Sequence, residues 1–366
     1  MERALRAVAL AAALAAFGSS PAAATELVDD NKAQCPSAAH TSIQAGVDAA
    51  APGERVLVCN GVYQEAVTIA GPAKDGVDLV ANATLGASIK PPPGYFGPIV
   101  DIDGADRVQV RRFRIAGPFG PTCPSNAAGS MEGVIVRGRA LSANIRLNAI
   151  SSIGDPPGPD CSETFGGTGV DFQWGRGVVG ENTIEGYDSV GVAVLGPSFV
   201  NMINNRVVAG QTPNRFETGL AVQDAELRAV DNVIAQNATG IDLLGNALFG
   251  TEVRQVALQH NRVTEGDVGI RLDEQKKADI SGNIVTANAE QGILTDPAGS
   301  FNNYLVRNDF RGNGGNDCED QSAGVFPSQP GSPRYTTQNF WFNNKGLDAS
   351  PAPICTPSGA TGPPVQ

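Results

Sequence analysis

The side chains able to do chemistry in this 366-residue chain are carboxylates and arginines in two groups. One is Asp101, Asp103, Arg137, Asp171 and Gln173; the other is Asp242, Arg271 and Asp273. They are scattered along the chain, yet each holds a matching place in a recurring motif. A glycine opens a short apolar alternation, as in Gly133-Val134-Ile135-Val136, Gly169-Val170-Asp171-Phe172, Gly240-Ile241-Asp242-Leu243 and Gly269-Ile270-Arg271-Leu272. Successive side chains of a strand point to opposite faces, so the first and third residues after the glycine point in and the second and fourth point out. Aligned, the second positions read Asp101, Ile135, Asp171, Ala193, Ala221, Asp242, Arg271, Leu294. The fourth positions read Asp103, Arg137, Gln173, Leu195, Gln223, Leu244, Asp273, Asp296. Such rows form either a polar binding patch or a ladder of solvated ion pairs, the latter worth about 0–1 kcal/mol per pair. The longest loops entering these strands, residues 116–132 and 151–168, flank the first group, and long loops on a rigid scaffold are where sites tend to form.

The scaffold is legible in a second repeat, in phase with the first. Asparagine returns every two to three dozen residues, at Asn148, Asn182, Asn205, Asn232, Asn261, Asn283 and Asn308. A large apolar residue follows two places later: Ile150, Ile184, Val207, Ile234, Val263, Val285, Phe310. Self-similarity at this period means a solenoid. The runs are short, of period two and rich in Val and Ile, which is strand chemistry. A leucine-rich repeat would show leucine-dominated positions and tighter spacing. The pattern therefore predicts an all-β parallel β-helix, with coils stacked about 4.8 Å apart. Inward Val, Ile and Leu rows would form the core, and the asparagines an amide ladder along the axis. The ladder would satisfy buried groups that cost about 1–3 kcal/mol each when left unpaired. Ile43, Val47 and Ala50 share one face of a predicted helix that Pro52-Gly53 ends, ahead of the strand-like Val56-Leu57-Val58.

With this entry segment and these repeats, the chain resembles the pectate-lyase-like superfamily of right-handed parallel β-helices over nearly all its length. The resemblance implies an N-terminal capping helix, a single solenoid and polysaccharide chemistry. It further implies a calcium-assisted uronate lyase, with Asp101, Asp103 and Asp171 holding Ca²⁺, Arg137 as the base and Asp171 beside it. Gln173, Asp242, Arg271 and Asp273 would then contact substrate. A narrower stretch, Gly167-Thr168-Gly169-Val170-Asp171-Phe172-Gln173-Trp174-Gly175, is similar to the segment around the nucleophilic aspartate of pectin methylesterases, with one residue inserted. A carbohydrate esterase is the third reading, after a lyase and a non-catalytic glycan-binding or surface structural protein. The Gly-His-Gly and paired-aspartate segments of polygalacturonase-type hydrolases are absent from the coils. Trp174 and Tyr187 are candidates to stack on sugar rings; Phe172 has inward phase.

The rest of the sequence sets bounds. Arg3 and Arg6, an apolar run from Ala7 to Phe17 and Ala22-Ala23-Ala24 read as a secretory signal over residues 1–24. Residues 25–34 are expected to be a flexible lead-in, 35–355 the β-helix and 356–366 a disordered tail. Six cysteines suit an oxidising compartment. Their positions along the solenoid predict Cys35–Cys59, Cys123–Cys161 and Cys318–Cys355. A net charge of −12 without a basic face excludes a nucleic-acid partner. No run is long enough for a membrane span, so an exported monomer is expected. With two histidines, His40 and His260, neither near the first group, histidine catalysis is excluded, as are phosphate loops and nucleophile elbows.

Overall fold

The computed structural model describes residues 25–117, 131–138, 142–154, 166–210, 217–245, 255–297, 300–322, 338–351 and 354–357. Over these the chain winds as a right-handed parallel β-helix, each regular coil giving one strand to each of three sheets. A 12-stranded sheet runs from Thr25–Val28 to Phe340–Phe342, a 9-stranded sheet from Gly61–Gln64 to Ile284–Thr286, and an 11-stranded sheet from Val67–Ala70 to Ala349–Ser350. Val134, Val136, Val170, Phe172, Val192 and Val194 point inward and are fully buried, as the alternation requires.

Two columns make the coils stack in register. At the corner from the 12- to the 9-stranded sheet, Asn182 Oδ1 accepts from the backbone N of Asn148 at 2.9 Å and from its Nδ2 at 3.2 Å. Asn182 Nδ2 donates to Ile145 O at 2.8 Å and to Asn205 Oδ1 at 3.0 Å. The pattern continues through Asn232, Asn261, Asn283 and Asn308, and reaches Asn344. The residue before the asparagine turns the corner in the left-handed region: Leu147, Glu181, Asn204, Asp231, His260, Arg307 and Asn343 have φ between 55° and 60°. Non-glycine residues rarely sit there, and the clasped asparagine beside each fixes the turn. The second column is glycine. A Cβ on Gly133, Gly169, Gly191, Gly219 or Gly240 would lie 2.5–2.6 Å from the carbonyl oxygen of the next glycine in the column. Backbones approach too closely there for any side chain, which explains why each apolar alternation opens on glycine.

The open N-terminal end is closed by the helix Ile43–Ala49. Ser42 caps it by accepting from Ala45 N, and the Glu65 carboxylate accepts from Ile43 N at 2.7 Å and Gln44 N at 2.9 Å. Ile43, Val47 and Ala50 are buried, as expected. Cys35–Cys59 and Cys318–Cys355 form at the two ends. Cys123 and Cys161 lie outside the described residues, as do the 1–24 signal and most of the tail. Thr356, placed in that tail, bridges to Lys345. The flexible lead-in is corrected. Thr25–Val28 pairs in register with Arg55–Val58, because the first coil would otherwise leave a sheet edge unpaired. Asp29 is wholly buried and accepts from the backbone N of Asn31, Lys32 and Cys35.

A candidate site on the outer face of the 11-stranded sheet

The strands Val100–Asp103, Met131–Arg137 and Gly167–Gln173 lie side by side, pairing Asp101 with Ile135 and Ile135 with Asp171. The neighbouring row pairs Asp103 with Arg137 and Arg137 with Gln173. The second-position row follows the predicted alignment through Arg271 and Leu294, and the fourth-position row follows it through Asp273. What differs is their environment. Asp101, Ile135, Asp171, Ala193 and Asp242 are buried although they face away from the core. The first group is therefore a partly desolvated recess and not an open ladder.

In this recess Arg137 grips Asp101 with two hydrogen bonds, Nε to Oδ1 at 3.1 Å and Nη2 to Oδ2. Asp103 Oδ2 lies 3.5 Å from Arg137 Nε. Asp171, one coil further on, is 5% exposed. Its Oδ2 accepts from Gln173 Nε2 at 2.7 Å, while Oδ1 has no hydrogen-bond partner among the described residues. Burial pushes its carboxyl up to about 6; the Gln173 bond opposes the rise and the charge of Glu132 adds to it. Half the molecules thus carry the proton near that pH.

The arrangement corrects two expectations. Burial disfavours charge on Arg137, but the bond from Asp101 and the charges of Asp101, Asp103 and Glu132 outweigh it and hold the guanidinium above its ordinary value. A group so held is a poor base. The expected calcium ligands do not converge either. Asp101 offers both oxygens to Arg137, and Asp171 stands two strands away, about 10 Å by the strand spacing. Among the described residues the one gathering of three metal-type donors is Asp29, Cys35 and Cys59. The second group, Asp242, Arg271 and Asp273, repeats the grip: Arg271 Nε to Asp242 Oδ1 at 2.9 Å and Nη2 to Oδ2 at 2.6 Å. It has no counterpart of the half-satisfied Asp171.

Three residues were not singled out from the sequence. Glu132 lies in the strand one residue before the expected start at Gly133 and is buried. Tyr95, from the loop preceding Val100–Asp103, feels the charges of Asp101, Glu132 and Arg137. Glu217, ahead of Thr218–Gln223, is 2% exposed, and its Oε2 has no partner among the described residues. Burial and the charge of Asp188 push it up to about 8. Glycine phase could have flagged Glu132; Glu217 follows residues that carry no repeat signal. Of the aromatic candidates, Tyr187 is buried with its hydroxyl on Asn237 Oδ1 and Phe172 is core. Trp174 is half-buried at φ 67° beside Gln173. Its indole lies against Gly196, where a Cβ would come within 3.3 Å of Nε1.

Residues 168–346, just under half of the chain, match a family model described as periplasmic copper-binding protein (NosD). No curated protein matches the sequence. The solved Dettilon tailspike protein superposes with a TM-score of 0.54 at 17% identity, over 75% of this chain and 53% of the tailspike. The chain thus spans about half the length of that protein. XylC in complex with xylose gives 0.61 at 11% identity, covering 88% of this chain and 76% of XylC. Pectate lyase Pel9A gives 0.52 at 14%, covering 89% and 77%. At such identities the likeness is one of fold. The donors among the described residues do not fit copper, which favours imidazole, thiolate and thioether ligands. His40 pairs with Glu26 at 2.7 Å, His260 stands exposed, and Met131 and Met202 are buried in the core. Cys35 and Cys59 are bonded to each other, and Asp29 is occupied by backbone N–H groups.

Proposed function

We propose that this chain, a right-handed parallel β-helix of the pectate-lyase-like superfamily, works outside the cytoplasm and acts on a polysaccharide at Asp171. The observation that carries the reading is the buried Asp171 carboxyl, raised to about 6, with one oxygen unpartnered among the described residues. A carboxyl at that value can give and take a proton near neutral pH, the requirement for general acid or base catalysis, which typically contributes about 10²- to 10⁴-fold. Gln173 holds one oxygen and orients the group. Arg137, kept charged by Asp101, is a fixed positive neighbour one coil away. A long sheet face parallel to the solenoid axis suits an extended polymer. The named activity of a pectate lyase with this fold supports the substrate class by analogy only. The two end disulfides, and a family description that places its members in the periplasm, support export.

Arg137 as base and a calcium cradle find no support in this geometry, so no step runs through either. The esterase reading needs an ionised nucleophile, and burial works against that at Asp171. Binding without turnover is the second reading. It is favoured by the uncharged stretch Ala193, Leu195, Ala221 and Gln223 between the two groups, a surface able to hold a sugar chain without reacting with it.

The test is a glycan panel with the purified full-length mature chain and with Asp171→Asn. It would be read by new reducing ends, by the ultraviolet absorbance of unsaturated products and by binding. Turnover that vanishes in the variant while binding persists is the expected result. Turnover unchanged in Asp171→Asn would refute the assignment of Asp171. Binding without turnover in either form would establish the second reading.

A further inference from the structure

We infer that the polymer held on this face is a neutral or fully esterified glycan and not a polyuronate; the inference rests on the polysaccharide reading above. Polyuronate recognition requires cations free to meet the substrate's carboxylates. Among the described residues of the two outward rows the cations are Arg137 and Arg271. Each donates two hydrogen bonds to a carboxylate of the protein itself, Asp101 and Asp242. Neither can turn to a ligand without leaving a buried aspartate behind, and both aspartates are less than a tenth exposed. The acids of the rows outnumber these arginines: Asp103 shares Arg137 with Asp101, and Asp171, Asp273 and Asp296 add three more carboxylates. Glu132 adds a further buried carboxyl beside the recess.

A carboxylated sugar entering this recess would meet like charge in a poorly hydrated setting, where juxtaposed charges cost several kcal/mol. The net charge of −12 adds repulsion at longer range. A neutral sugar meets groups suited to it. Asp171 Oδ1 is an unpartnered atom placed to receive or give a hydroxyl hydrogen bond. Gln173 and Gln223 are amides at fourth positions two coils apart, on either side of Leu195, and Thr168 and Thr218 are hydroxyls at the strand entries. Trp174 lies half-exposed at the adjoining corner, and aromatic faces favour the C–H faces of uncharged sugars.

The experiment compares binding of the full-length mature chain to neutral polymers (xylan, galactan, glucomannan), to fully methyl-esterified pectin, and to pectate and alginate. It is run at low and high salt, with and without Ca²⁺. The expected result is that a neutral or esterified polymer binds at both salt levels. Pectate and alginate should bind about tenfold more weakly or worse at low salt, the gap narrowing as salt screens the repulsion. Tighter binding of pectate or alginate, with or without Ca²⁺, would overturn the substrate class and leave the polysaccharide reading standing. Failure of the folded protein to bind any polymer of either kind would overturn both.

Discussion

The asparagine column and the Asp171 recess both bury polar side chains, and they do so in opposite ways. Every column asparagine from Asn148 to Asn308 uses its carbonyl oxygen and its amide nitrogen, clasping the coils on either side. Asp171 is nearly as deeply placed, yet one of its oxygens has no partner among the described residues. A satisfied buried amide holds structure; an unsatisfied buried acid keeps a proton mobile and an acceptor available. The contrast separates the part of the molecule that makes the solenoid from the part that would use it.

The sharpest way to break the contrast is to remove a rung. Asn205→Ala would strip partners from the N and Nδ2 of Asn182 and from Val179 O. It should cost about 3–5 kcal/mol, seen as a lower urea midpoint. Asp171→Asn should behave in the reverse manner. Turnover on the polymer identified by the panel should fall about a hundredfold or more, with no loss of stability at neutral pH. Its folded value of about 6 lies above the ordinary aspartate value of 3.8, so the folded state binds more protons than the unfolded one between them. The wild-type protein should therefore lose stability as pH rises from about 4 to 6, and the variant should lack that slope.

Glu217 tests whether an unsatisfied buried acid need be functional at all. Its folded value of about 8 against an ordinary glutamate value of 4.5 means that protonation favours the fold at low pH and that this is lost as pH rises through 8. Glu217→Gln should then be more stable than wild type at pH 8 and above by about 2–4 kcal/mol, measured by urea melts across pH. An accompanying loss of turnover would draw Glu217 into the site. The smallest effect is expected at the Asp242–Arg271 pair. A double-mutant cycle should give a coupling of about 1 kcal/mol or less, because the arginine is more than a third exposed at 38%.

The fold was legible because it is written in period. Asparagine and glycine recur where two columns admit no other residue, and alternation then fixes which side chains face out. Asp101, Ile135 and Asp171 fall in one row in the sequence and in the structure alike. Burial of that row was not legible, since alternation tells which face a residue takes and not whether that face is covered. The grip of Arg137 on Asp101 was likewise hidden, because register brings two rows close without choosing partners. Glu132 escaped because the strand begins before its glycine. Left-handed corners at Leu147, Glu181 and Arg307 escaped because leucine, glutamate and arginine carry no compositional mark of a turn. The strand at Thr25–Val28 was missed because it belongs to no repeat and gains its order from pairing with the first coil.

The asparagine column also has a direction. In each coil the backbone N–H at the corner is satisfied by the side chain of the following coil, never of the preceding one. Each coil therefore depends on the one after it to meet its corner donor. Whole coils can be added or removed without disturbing the stitch. A shift by one residue cannot, for it replaces the stitch with whatever side chain comes next. Length in this molecule is thus counted in turns of the solenoid, and the last stitch, Asn344 closing on Asn308, is the knot that ends the thread.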